Sequence, residues 1–155
     1  MNKLPNKYSK GFTLVELLIV IGILGILLAI VLVALNPAKQ FAQANDTKRS
    51  SDVNAILNAV HQYAADKKGK LPTAVTTTVG NISTTGINIC ADLVPTYLAQ
   101  LPVDPSINDG TPVSDCAVAG GYDTGYQIVS SATNSRVTVS ASGAEGTGVV
   151  ISVTR

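Results

Sequence analysis

The stretch of sequence that decides the fold is KGFTLVELLIVIGILGILLAIVLVAL, residues 10–35. It contains a single carboxylate, Glu16, which stands immediately before 19 consecutive apolar residues or glycines, residues 17–35. An α-helix of that length reaches roughly 28 Å, which is close to the ~30 Å hydrocarbon core of a bilayer. The stretch therefore predicts a membrane-spanning helix.

Charge fixes the expected direction of this helix. The 155-residue chain has a formal net charge of +1 and only 14% charged residues, which fits one small domain plus one unusually apolar segment. Lys3, Lys7 and Lys10 are the only charged residues among the first eleven. Because basic residues favour the cytoplasmic side of a membrane, the N-terminal end is expected to stay there.

A cleaved secretory signal peptide is the first alternative, since it also has a basic start and an apolar stretch. Here the apolar run is longer than a usual signal core, and no small-x-small cleavage site closes it. Glu16 also weighs against this alternative, because a carboxylate at the head of a spanning helix costs a few kcal/mol unless it has a partner. A partner for Glu16 is therefore expected.

The string Lys10-Gly11-Phe12-Thr13-Leu14-Val15-Glu16 resembles the class III signal peptide of type IV prepilins and type II secretion pseudopilins. The resemblance implies that prepilin peptidase removes a leader, residues 1–11, by cutting between Gly11 and Phe12, and that Phe12 is then N-methylated. A glycine before the cut bond allows close approach of a protease, because it has no Cβ. By the same resemblance, Glu16 pairs with the N-terminal amine of a neighbouring subunit and sets the register of assembly.

Downstream, the predicted organisation is a transmembrane or filament-core helix over residues 12–35, an amphipathic helix over 36–68 and a globular head over 69–155. Apolar residues recur every three or four positions in the second segment, which is the period of one helix face. They are Val53, Ile56, Leu57, Val60 and Ala64. Pro37 is expected to kink the helix, and Gly69 to end it. The charged residues between 46 and 67, Arg49 among them, are expected to be solvated.

The remainder predicts a loop over residues 71–88 and three alternating strands over 126–129, 136–141 and 149–154. Their alternation favours an antiparallel meander with one face against the helix. The fold class is therefore α+β, and the family resemblance implies the pilin-like lollipop, in which a long N-terminal helix packs on a small antiparallel sheet.

Two cysteines, Cys90 and Cys116, lie in the part of the chain that would be exported. An even number of cysteines in an oxidising compartment favours one disulfide, which would stabilise the fold by roughly 3 kcal/mol. Two free buried thiols are the alternative.

A calcium site is a further hypothesis. The segment Leu101-Pro102-Val103-Asp104-Pro105 resembles one found in major pseudopilins and many pilins, and the pseudopilin relatives bind calcium in this part of the fold. Four aspartates fall within twenty residues, and carboxylates on loops suit calcium. They are Asp104, Asp109, Asp115 and Asp123. The alternative is that they are ordinary turn formers, because their spacing matches no EF-hand loop.

The sequence contains no nucleophile and base pair, phosphate-cradling glycine loop or clustered metal ligands, so we expect a structural subunit rather than an enzyme. The resemblance implies a type IV pilus subunit that forms a helical homo-oligomer, with prepilin peptidase, an assembly platform and a motor as partners. It implies residence in the bacterial inner membrane, in contact with lipid, before assembly into an extracellular filament. A major pseudopilin of a type II secretion system and a DNA-uptake pilin are alternatives, although no residue requires a nucleic acid partner. A membrane-tethered module that never polymerises is another.

Overall fold

The computed structural model describes residues 11–145 and 150–155. The chain divides into two compact units, residues 1–40 and 41–155. The first unit is mainly the helix α1, Leu14–Leu35, which is uninterrupted by Gly22 and Gly25. None of its 22 residues is buried, and the helix is long and apolar enough to cross a membrane. An apolar surface on all sides of a helix requires a covering of lipid or of other protein.

The helix α1 ends at Asn36, whose φ of 41° and ψ of 79° place it in the left-handed region. The next helix, α2, begins at the following residue and spans Pro37–Asp66. Proline disfavours helical backbone in the residue before it, and it is well suited to the first position of a new helix. The sequence predicted a kink at Pro37, whereas the structure has a complete break between two helices.

We call residues 41–155 the head. Its part of α2 packs through the predicted apolar stripe, since Val53, Ile56, Leu57 and Val60 are all fully buried. The end of α2 is followed by Lys68 and Gly69, with φ values of 58° and 85°. A left-handed glycine after the last helical residues is a common helix stop, as expected for Gly69.

A four-stranded antiparallel sheet forms the other layer of the head, with strand order β1-β2-β3-β4. The strands are β1 Gly80–Ser83, β2 Asp123–Ser130, β3 Val137–Ala141 and β4 Ile151–Thr154. In β2 and β3 buried residues alternate with half-buried ones, and the buried face includes Tyr126, Ile128 and Val139. This face and the α2 stripe belong to one hydrophobic core. The α+β class and the antiparallel meander are confirmed.

Two parts of the predicted layout are corrected. The segment expected to be an exposed loop contains β1, whose Ile82 is fully buried, and β1 pairs with β2 across an irregularity in register. Short helical turns, α3 at Cys90–Leu93 and η1 at Asn108–Gly110, were not predicted. The predicted last strand began at residue 149, which lies outside the described residues.

The disulfide between Cys90 and Cys116 is formed, with a Cα–Cα distance of 5.5 Å. Cys90 opens α3 and is fully buried, whereas Cys116 follows the bridge between Leu101 and Val113. The bond therefore ties the long connection between β1 and β2 to the core. The predicted pairing is confirmed, and the alternative of two free thiols is wrong.

Replacing both cysteines, as Cys90→Ala with Cys116→Ala, is expected to lower the free energy of unfolding by about 3 to 4 kcal/mol, because the bond closes a loop of 26 residues. Urea unfolding of the detergent-solubilised protein measures the loss. Reduction of the wild-type protein should reproduce it and leave the double variant unchanged. An unfolding midpoint that reduction does not move would contradict this expectation.

Candidate processing and assembly site

The bond between Gly11 and Phe12 lies just outside the first helix. Thr13 is the N-cap of α1, with extended backbone angles, and the helix begins at Leu14. Phe12 is 86% exposed. A protease can therefore bind the backbone on both sides of this bond without unwinding α1.

Glycine at position 11 is not required by packing within residues 11–145 and 150–155, which the structure describes. A Cβ added to Gly11 would meet no atom within 4 Å, and no left-handed φ is recorded for this residue. The absence of a Cβ also allows another molecule to approach the backbone closely at this residue. Residues 1–10 of the predicted leader lie outside the described residues.

Glu16 and Thr13 form a reciprocal capping box at the start of α1. The Glu16 Oε2 atom accepts hydrogen bonds from the Thr13 backbone N–H at 2.9 Å and from the Thr13 Oγ1 hydroxyl at 2.8 Å. The Glu16 N–H in turn donates to Thr13 Oγ1 at 3.2 Å. These bonds satisfy backbone N–H groups that have no partner within the first turn of a helix. The negative charge of Glu16 is also favourable there, because the helix dipole is positive at its N-terminal end.

The geometry of the capping box leaves Glu16 suited to bind a cation. Both bonds from Thr13 go to one carboxylate oxygen, Oε2. In the described residues no hydrogen bond or ion pair is made to the other oxygen, Oε1. The side chain is exposed and directed toward the start of the helix, so an amino group from another chain can reach it. Sequence reasoning missed the role of Thr13, although the pattern Thr13-x-x-Glu16 is a known capping signature.

A comparison with protein-family models matches residues 6–32 to the prokaryotic N-terminal methylation motif. The chain carries a prepilin-type signal peptide. The match covers 27 of the 155 residues and includes Gly11, Phe12, Glu16 and most of α1, so it confirms the resemblance to prepilins and pseudopilins. Neither a search of curated proteins nor a search of solved structures gave a match. Cleavage after Gly11, methylation of Phe12 and pairing of Glu16 with an amine stay predictions.

Of the four aspartates of the calcium hypothesis, Asp104 is buried against α2. The Arg49 guanidinium donates to it twice, from Nε to Oδ2 at 2.7 Å and from Nη2 to Oδ1 at 2.9 Å. The backbone N–H and the hydroxyl of Ser106 also donate to Asp104 Oδ1, at 2.8 and 2.6 Å. This carboxylate is therefore already neutralised by an internal cation.

The other three aspartates are exposed; Asp109 and Asp115 lie in the connection between β1 and β2, and Asp123 is the first residue of β2. Asp115 and Asp123 each accept a hydrogen bond from the backbone N–H two residues later, at 2.9 Å, which is the geometry of an Asx turn. Asp109 has a left-handed φ of 53° within η1. In residues 11–145 and 150–155, no group of three or more His, Cys, Asp or Glu side chains lies close enough to hold a metal ion. The calcium site stays a prediction.

Arg49 was expected to be solvated, and this expectation is wrong because its side chain is fully buried. Its guanidinium also bonds Asp46 at 2.8 Å and Glu145 at 3.1 Å. The cation thereby joins α2 to the segment before β2 and to the segment after β3. The hydrogen bonds to Asp104 raise the pKa of Arg49 above its ordinary value, so the guanidinium stays charged.

Burial alone would raise the pKa of Asp104. The hydrogen bonds from Arg49 and Ser106, together with the charge of the guanidinium, outweigh this effect and lower the pKa of Asp104 to about 2. The ion pair is thus maintained to strongly acidic pH. A buried charge pair is costly to break from one side, since the remaining partner is left without compensation.

The head is expected to lose stability as the pH falls from about 4 to about 2. Unfolded, Asp104 takes up a proton near its ordinary pKa of about 3.9, whereas folded it stays ionised down to about pH 2. The unfolded state binds more protons in this window, so the free energy of unfolding falls by about 2 kcal/mol across it.

Urea unfolding of the detergent-solubilised protein across this window measures the change. The variant Asp104→Asn lacks the titrating group, so its free energy of unfolding should fall less over the same window. If the variant and the wild type show the same dependence on pH, the assigned role of Asp104 is wrong.

Proposed function

We propose that the chain is the structural subunit of a type IV pilus-like extracellular filament, cleaved and N-methylated by prepilin peptidase and polymerised through α1. The observation that carries this proposal is the helix α1 itself, which follows the prepilin-type signal and has no buried residue. A helix that is apolar on every side is covered by lipid while it lies in the membrane. Outside the membrane it needs a second apolar covering of the same kind. A bundle of such helices from many subunits provides the second.

The mechanism begins with the chain held in the inner membrane by α1. After the leader is removed, a motor-driven assembly platform transfers α1 from lipid into the growing filament. The apolar side chains leave one apolar environment for another, so little net exposure to water opposes the transfer. In this process the chain is the substrate of an enzyme rather than an enzyme.

Glu16 would supply the register of assembly. Cleavage between Gly11 and Phe12 creates an amino group four residues before Glu16 in every subunit. A neighbouring subunit can place this cation against the Glu16 carboxylate, which relieves two charges that would otherwise be uncompensated in an apolar surrounding. Apolar contacts between helices lack such direction, because the hydrophobic effect depends mainly on the area that is covered.

A major pseudopilin of a type II secretion system is the second candidate, supported by the segment Leu101-Pro102-Val103-Asp104-Pro105. The disulfide between Cys90 and Cys116 favours the pilus, since it stabilises the head outside the cell. Deletion of the gene separates the two candidates. Loss of surface fibres with normal protein secretion supports the pilus subunit, and loss of secretion with intact fibres supports the pseudopilin.

The direct test is the intact mass and N-terminal sequence of the protein sheared from cell surfaces. We expect a chain that begins at Phe12 and carries one added methyl group. Recovery of the chain only from membranes, and only with Met1 at its start, would replace the filament proposal with that of a simple anchored domain.

The variant Glu16→Gln is expected to be processed normally but to reduce the yield of sheared filaments at least about tenfold. Glutamine can still accept the hydrogen bonds from Thr13, so the helix cap is kept and only the charge is lost. Loss of one partner from a buried ion pair costs about 3 to 5 kcal/mol, and each 1.4 kcal/mol is a factor of about ten.

Thr13→Ser is the matched control for Glu16→Gln, because it keeps both the hydroxyl and the charge. It should leave filament yield unchanged. Filaments of Glu16→Gln at the wild-type level would show that an ion pair at this position does not set assembly.

A further inference from the structure

One end of the head carries an apolar groove with an acidic rim. The groove has a volume of about 410 Å³, and its lining includes Ile107, Val113, Val118, Tyr122, Asp115 and Asp123. The side chains of Asp115 and Asp123 are exposed, as is that of Asp109, which follows the groove residue Asn108. In residues 11–145 and 150–155, none of these three carboxylates has a Lys or Arg nitrogen within 4.0 Å. We call the groove with Asp109, Asp115 and Asp123 the acidic groove.

Two cations of α2 that lie near the groove residue Val103 are already neutralised. Lys48 donates to Asp52 at 2.7 Å, and Arg49 is enclosed by three carboxylates. The groove therefore presents a net negative charge beside an apolar floor. A ligand suited to it has a positive charge on an apolar stem, which is the chemistry of a lysine side chain.

Such side chains are clustered where α2 ends. Lys67, Lys68 and Lys70 are all exposed, and we call them the basic turn. Their backbone is fixed, since the Gly69 N–H donates to Ala64 O at 2.7 Å and the Lys70 N–H donates to Lys67 O at 3.3 Å. The acidic residue beside them, Asp66, already accepts a hydrogen bond from the Tyr97 hydroxyl at 2.9 Å.

Within one head, the basic turn makes no ion pair with the acidic groove. In residues 11–145 and 150–155, no side-chain nitrogen of Lys67, Lys68 or Lys70 lies within 4.0 Å of the groove carboxylates. Lys48 Nζ donates to the carbonyl of the groove residue Val103 at 3.0 Å, which places that part of the groove beside the early part of α2. The carboxylates of the acidic groove are therefore open to amines from another chain.

We propose that the acidic groove binds the basic turn of a second copy of this chain. The lysine stems pack on the apolar floor while the ammonium groups reach the rim carboxylates. Because the two surfaces differ, the contact is head-to-tail and repeats from one copy to the next. Contacts of this type form open helical filaments when their rotation does not close a ring. The inference rests on the proposed filament function and assigns to it a contact between heads, separate from the contacts of α1.

Zero-length carbodiimide cross-linking of wild-type filaments tests this contact, because the reagent joins an amine and a carboxylate only where they touch. Filaments sheared from cells are treated in a buffer free of divalent cations and digested, and cross-linked peptides are identified by mass spectrometry. We expect links from Lys67, Lys68 or Lys70 to Asp109, Asp115 or Asp123. Because these groups form no ion pair in one head, such a link is assigned to two copies when its peptides come from the cross-linked dimer and not from the monomer.

The variant Asp109→Asn, Asp115→Asn, Asp123→Asn gives a second readout. Asparagine keeps the turn hydrogen bonds and tolerates a left-handed φ, so the head should fold and form its disulfide while the rim loses its charge. We expect its filaments to fall apart at a several-fold lower salt concentration than wild-type filaments. Asp92→Asn, which changes a carboxylate outside the acidic groove, is the control and should behave as wild type.

The outcomes separate this inference from the proposed function. Suppose that the filaments contain subunits that begin at Phe12, but that their basic turn is linked only to carboxylates outside the acidic groove. This result overturns the contact and leaves the proposed function as a filament subunit unaffected. An unchanged salt midpoint in the triple asparagine variant also overturns the contact. The absence of any filament overturns both. Links between the basic turn and the acidic groove, together with the lowered salt midpoint, establish the contact.

Discussion

The helix α1 has an apolar surface that the rest of the described chain does not cover, and this constraint shapes the other features of the molecule. Full exposure of its large side chains to water would cost on the order of tens of kcal/mol, at about 1.5 to 3 kcal/mol for each. The helix therefore needs an apolar surrounding, either lipid or other protein. The Asn36–Pro37 break ends the apolar helix before α2 begins, which separates the part of the chain that needs such a surrounding from the part that folds in water.

Within the head, the ion pairs of Arg49 connect segments of the chain that the hydrophobic core alone does not connect. Its guanidinium is buried, so it has to be matched by carboxylates, and these come from α2, from the segment before β2 and from the segment after β3. Because a guanidinium donates in fixed directions, it specifies where these segments meet α2 more narrowly than apolar packing would. The backbone N–H of Asp104 also donates to Thr124 O at 2.9 Å, so the same carboxylate residue links the helix to the sheet.

The elements predicted correctly from the sequence are those with a local signal. The span of α1, the buried stripe of α2, the helix stop at Gly69 and the later strands all follow from composition or period over a few neighbouring residues. The strand β1 has no such signal, because it has four residues with Ile82 as its one large apolar side chain and depends on β2 for its pairing. Arg49 could not be assigned to the interior, because its partners Asp104 and Glu145 lie 55 and 96 positions away. Thr13 is different, since its capping partner is three residues away and was within reach of sequence analysis.

The distribution of charge suggests a division of roles between the two units. Apolar contact along α1 can supply most of the free energy of association between subunits. This free energy changes little when one helix shifts along another, because it depends mainly on the area that is covered. A shift becomes costly only where a charge would lose its partner, and in α1 that position is Glu16 alone. Pairing of Glu16 as proposed would set the axial position of the helix but would leave the rotation of a head around it open. The proposed contact between the acidic groove and the basic turn would remove this freedom, because its charges would be paired only at one rotation. A subunit with a featureless apolar helix therefore needs specific polar contacts on its head to form a filament of regular geometry.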